Sequence, residues 1–121
     1  MSDELEEINK EYRKEAKEIL KKMQSSCEML KERSDNGVAE ILRCSHKIKG
    51  IAGMMDDSHI EELAKQMEYV SQLLVEQKLR LKPEIVAILV ESTNLLAKYI
   101  ETDFEERDMK LLEKLGKISN V

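Results

Sequence analysis

From Leu5 to Leu30 the apolar residues return at steps of three and four: Leu5, Ile8, Tyr12, Ala16, Ile19, Met23, Cys27 and Leu30. That spacing places all eight on one stripe of an α-helix, whereas a half-buried strand would show alternation. It predicts a first helix from about Asp3 to Arg33, ended by the turn chemistry of SDNG at 34–37. The same periodicity predicts a second helix over Val38–Met55, with Ile41, Ser45, Ile48, Ala52 and Met55 inward. Asp56, Asp57 and Ser58 make a short connection and supply a cap for a third helix. Its stripe is Ile60, Leu63, Ala64, Met67, Val70, Leu74 and Val75. The polar connection QKLRLK leads to Pro83, suited to the first position of a fourth helix. That helix turns Val86, Leu89, Leu96 and Ile100 inward, with Ile85, Ile88 and Leu95 widening the stripe.

Four long helices with short connections mean an all-α, antiparallel four-helix bundle, here over residues 1–103. Met109, Leu112 and Leu115 mark a shorter fifth helix within 104–121, leading towards a linker. Composition agrees: 37% of the 121 residues are charged, only 3% are aromatic, and there is a single proline, as in helical chains rich in Glu, Lys, Leu and Met. No apolar run approaches the roughly 18 residues of a membrane span. The acidic amino terminus has no apolar signal core, so a cytoplasmic location is expected. A net charge of −5 with mixed signs lacks the basic face of a nucleic-acid binder. Cys27 and Cys44 have no CxxC spacing and read as small buried apolar groups. No metal site is expected, because Cys44 and His46 point nearly opposite ways on a helix.

The stretch HKIKGIAG, residues 46–53, resists this simple pattern. Glycine costs a helix interior about 1 kcal/mol relative to alanine, and Gly50 and Gly53 both fall within the second helix. On a helical wheel His46 lies about 120° from the centre of the buried stripe, at the margin between core and solvent. Lys49, Gly50 and Gly53 share its side. A helical side chain leans towards the amino terminus, so a glycine four residues on leaves His46 uncovered. The compensation is access for something large to the imidazole.

The third helix offers His46 a partner. His46 stands nine residues before Met55, and Glu68 nine residues after His59. In an antiparallel pair the two are level, about 13 Å from the connection at 1.5 Å per residue. A carboxylate at one imidazole nitrogen fixes the tautomer and leaves the other nitrogen free to attack. Lys49, one turn from His46, is placed to stabilise negative charge on an incoming phosphoryl group. His59 reads as a surface residue of the capping region, and Lys47 as solvent-facing.

HKIKG followed by IAG resembles the active-site motif of histidine-containing phosphotransfer (HPt) domains, especially the amino-terminal domain of the chemotaxis histidine kinase CheA. The motif reads here as His46, Lys49, Gly50, Ala52 and Gly53, and the glutamate that chemotaxis members carry 22 residues after the histidine is Glu68. The similarity extends over roughly residues 4–102, and a fifth helix is typical of the chemotaxis branch. Two departures stand out. Asp56 and Asp57 replace a glycine and an aromatic residue, and Lys65 replaces a histidine three residues before the glutamate.

The resemblance implies a phosphoryl carrier in two-component signalling. His46 would accept a phosphoryl group through Nε2 from a histidine kinase catalytic domain. It would then pass the group to an aspartate of a response-regulator receiver domain. Glu68 would orient the ring, Lys49 assist, and Gly50 with Gly53 admit both partners. No cofactor is expected in this chain: it has no Gly-rich phosphate loop and no kinase signature, so ATP and magnesium belong to partner domains. The chain would then be a fragment of a histidine protein kinase. The alternatives are a freestanding relay HPt protein, a helical module that docks receivers without accepting phosphate, and, more remotely, a metal-binding bundle.

Overall fold

A computed structural model of the chain describes residues 3–32, 35–102 and 116–118. It contains α1 (Asp3–Lys31), α2 (Asp35–Met54), α3 (Ser58–Val75) and α4 (Pro83–Thr102). Residues 116–118 are also helical, and Ile118 packs against the core. No strand occurs among the described residues. α1 and α3 each pack on both α2 and α4, so the helices stand at the corners of a square, each antiparallel to the next. This is the all-α bundle expected from the periodicity.

The core follows the apolar stripes. Tyr12, Ala16, Met23, Cys27 and Leu30 of α1 meet Ile41, Ile48 and Ala52 of α2, Ile60, Leu63, Met67 and Val70 of α3, and Leu89, Leu96 and Ile100 of α4, all buried. Two expected members are not there. Ile8 is 51% exposed and Val75 45% exposed, because each lies near a helix end, where the bundle no longer surrounds it. In their place Leu20, Val38 and Tyr99 are buried, and Cys27 and Cys44 are buried as expected. The thiols of Cys27 and Cys44 are free. Burial, and then the neighbouring Glu40, pushes the Cys44 thiol up to about 11, so it is held as an inert thiol. The Leu5 side chain, Arg33 and the Met109–Leu115 stripe lie outside the described residues.

Helix boundaries differ most at 34–37. α2 begins at Asp35, so Asp35, Asn36 and Gly37 of the expected turn lie in its first turn instead, and the helix ends at Met54 rather than Met55. At its other end, Asp57 N bonds to Ala52 O at 2.9 Å and Asp56 N to Gly53 O at 3.3 Å, with Asp56 at φ 60°. This is a Schellman closure, whose left-handed residue is usually glycine and which aspartate tolerates.

Asp57 caps α3. One carboxylate oxygen accepts from Ile60 N at 3.5 Å, and the other accepts from the Tyr12 hydroxyl at 3.2 Å and pairs with Arg13 at 3.6 Å. Arg13 also donates to the carbonyls of Tyr99 and Ile100 at 3.1 and 3.2 Å, in the last turn of α4, where carbonyls lack helical donors. His59, expected at the surface, is half-buried with its ring 6.0 Å from that of Tyr99. One end of the bundle is thus tied together across three helices.

Gly37 is needed for a reason other than a turn. A Cβ there would meet the carbonyl oxygen of Ser26 at 2.8 Å and Met29 Cβ at 3.1 Å, so α1 and α2 cross with backbone nearly touching backbone. Gly37→Ala is expected to destabilise the chain by about 1–3 kcal/mol, as overpacking does, despite alanine's better helix propensity. Urea denaturation at constant m-value measures this; an unchanged or raised midpoint would contradict the close crossing.

Candidate functional site

Equal spacing from the α2–α3 connection brings His46 and Glu68 together as the level count requires. His46 Nδ1 and Glu68 Oε2 are 2.5 Å apart, and Lys49 Nζ donates to Glu68 Oε1 at 2.6 Å. Both carboxylate oxygens are therefore engaged. The Glu68 side chain is 20% exposed, against 70% for His46, so the anchor is inside and the imidazole outside.

The protonation states follow from the charges. Burial by itself raises the Glu68 carboxyl, but hydrogen bonds from Lys49 and His46, reinforced by their charges, outweigh it and hold the group below its ordinary value. An ionised carboxylate only accepts, so Nδ1 carries the proton in the bond to Glu68. In the neutral tautomer that this bond selects, Nε2 is the basic nitrogen, and among the described residues nothing hydrogen-bonds it. The lone pair on that exposed atom makes the site nucleophilic.

The two glycines behave differently. A Cβ on Gly50 would meet nothing within 4 Å, so the fold has no use for the bare position one turn from His46. Gly53 is also exposed, but a Cβ there would lie 2.6 Å from Glu61 Oε2. Gly53 and Glu61 stand four residues either side of Asp57, the same level relation as His46 and Glu68. The space beside Gly53 is thus crossed by the flexible Glu61 carboxylate, which the sequence analysis did not single out. The contact between Lys49 and Glu68 was also unforeseen, though the same level count places them on adjoining turns. Lys65 lies exposed on α3 and joins no hydrogen bond or ion pair among the described residues.

Among the described residues, no group of three His, Cys, Asp or Glu side chains is placed to hold a metal ion, and no helix is long and apolar enough to cross a membrane. A family model described as Hpt domain matches residues 7–114. No curated protein matches the chain, and no solved structure does.

Two outcomes are expected. Gly50→Ala should raise stability by about 1 kcal/mol, read from urea or thermal unfolding; a loss would mean that the fold needs the glycine. Glu68, with its folded pKa below the unfolded value, stabilises the fold fully above the ordinary glutamate range. That contribution disappears as pH falls through the lowered folded value. Its carboxyl ¹³C shift should titrate below those of exposed glutamates; a midpoint at or above theirs would exclude the paired carboxylate.

Proposed function

The chain belongs to the Hpt domain family, whose role is phosphotransfer in two-component signalling, and from that premise we propose that His46 is the phosphoacceptor. The observation that carries this reading is the division of labour on one exposed ring: Nδ1 held by a part-buried carboxylate, Nε2 bare.

The chemistry balances without a base. The Nε2 lone pair attacks the γ-phosphorus of ATP bound to a kinase catalytic domain; the N–P bond forms and the bond to the ADP oxygen breaks. The Nδ1 proton stays on the ring, which becomes a phosphorylated imidazolium, and the Glu68 carboxylate compensates the positive charge. In the second transfer an aspartate oxygen of a receiver domain attacks phosphorus and the N–P electron pair returns to Nε2. Phosphoryl transfer of this kind depends mainly on positioning and electrostatics. Glu68 orients the ring. Lys49 keeps Glu68 ionised and, with ammonium donors left over from that bond, assists the phosphoryl oxygens from one turn away. Gly50 keeps the approach to Nε2 open, and Gly53 lines the same face with Glu61 as a movable neighbour.

We further propose that the chain is the amino-terminal phosphotransfer domain of a chemotaxis kinase of the CheA type, acting in the cytoplasm. HKIKG–IAG, the 22-residue spacing to Glu68 and the helical stretch after α4 support that branch. The ATP and magnesium would lie in the kinase's own catalytic domain.

Phosphorylation by phosphoramidate, and separately by ATP with a chemotaxis kinase core, tests the proposal through intact mass before and after mild acid. One acid-labile phosphoryl group is expected on wild type and none on His46→Gln. Glu68→Gln should slow acceptance by about tenfold to a hundredfold. Gly50→Ala should lose more with the protein donor than with phosphoramidate. A folded wild-type chain that takes no phosphoryl group from either donor would refute the carrier function.

A further inference from the structure

Lys49 and Glu68 bridge α2 and α3 beside His46, and each is flanked on its own helix at the same offsets. Ser45 and Ala52 lie four before and three after Lys49; Ala64 and Ser71 lie four before and three after Glu68. Residues at these offsets share a helix side, and the side is the one facing the partner helix, because Lys49 and Glu68 bond across the gap. All four flanking residues are 0% exposed, and none is larger than serine. On the rest of its buried face α3 carries Leu63, Met67, Val70 and Leu74, so small residues are confined to the side towards α2.

A second observation separates size from hydrogen bonding. Ser45 Oγ and Ser71 Oγ are buried and have no hydrogen-bond partner among the described residues. An unpaired buried hydroxyl is unfavourable, so these serines do not hold the helices together by bonding. What they contribute is smallness.

We propose that Ser45, Ala52, Ala64 and Ser71 are positioning residues that set the α2–α3 separation at which His46 Nδ1 reaches Glu68 directly. With its other oxygen held by Lys49 at 2.6 Å, the Glu68 carboxylate meets Nδ1 at 2.5 Å, a contact with no slack. One added carbon in a close-packed seam moves its neighbours, opens the pair and frees the ring to exchange tautomers. Only the kinetic arm of the test rests on His46 being the phosphoacceptor.

The test reads the two imidazole ¹⁵N shifts of His46 in the full chain, assigned by their absence in His46→Gln. Wild type should show one protonated and one bare nitrogen. Ala64→Val and Ser71→Thr should collapse that separation and lower the phosphoramidate reaction rate by about tenfold to a hundredfold. Ser71→Ala should keep the wild-type shifts. Ala16→Val overpacks a 0% exposed position on α1, so it should lower the thermal midpoint and leave the shifts alone. If Ala64→Val fails to fold, Ser71→Thr, one methyl larger than wild type, carries the test. Wild-type shifts in folded Ala64→Val and Ser71→Thr would overturn the proposal. So would collapse in Ser71→Ala, or equal disturbance by Ala16→Val. A wild-type chain with a fixed tautomer and no phosphoryl acceptance would refute the carrier reading and leave the seam standing.

Discussion

Everything at the site depends on the register between α2 and α3. Two antiparallel helices joined by a short connection have one free parameter, how far along one helix a given residue of the other stands, and the connection fixes it. Here the Schellman closure around Asp56 and the cap at Asp57 do so, and Asp57 is itself held by Tyr12 and Arg13 of α1. A slip of one residue would move Glu68 by about 1.5 Å along the axis and turn it about 100°. The contact at Nδ1 would then be lost, together with the tautomer that leaves Nε2 bare. Arg13 extends the tie to the last carbonyls of α4. The stabilising network therefore sits at the end of the bundle where the register is set, away from the reactive ring.

Three glycines placed in helices show how one residue type answers different physical demands. At Gly37 the reason is internal: backbone lies against backbone, and a methyl group has nowhere to go. At Gly53 the reason is partly internal, since the Glu61 carboxylate passes over it and can be displaced. At Gly50 the surrounding chain offers no reason at all. A position that sacrifices helix stability with no return inside the molecule, one turn from His46, is what the proposed approach of a partner to the ring would require.

Sequence periodicity revealed the fold because the stripes are regular where the bundle is complete. It misplaced Ile8 and Val75, whose pattern continues into regions where no neighbour covers them. It also missed Tyr99, whose aromatic ring reaches the core from outside the expected stripe. The α2 amino terminus was misread because the local turn preference of Asp-Asn-Gly yields to the close crossing with α1, a tertiary demand that no short window contains. The pairing of His46 with Glu68 was legible, since level residues in an antiparallel hairpin follow from counting alone. The engagement of Lys49 with the second carboxylate oxygen was not, because several rotamers of a long flexible side chain satisfy the same backbone.

The exposures of the pair explain how such a site can work without a pocket. A catalytic histidine in a closed site gains from excluded water and a shaped cavity, but a group that meets two different protein partners through one nitrogen, the role proposed for His46, can have neither. His46 is accordingly 70% exposed, and its orientation comes entirely from beneath, from a carboxylate that is 20% exposed and bound at both oxygens. Partial burial strengthens the Glu68 interactions relative to water, so the ring is ordered before either of the proposed partners arrives. The Lys49 ammonium offsets the cost of burying the carboxylate. In the proposed transfer, when the ring acquires positive charge, the counter-charge is already in place and nothing need reorganise. On this account the bundle serves to hold one carboxylate still, at the right height, beneath an imidazole that remains open to solvent.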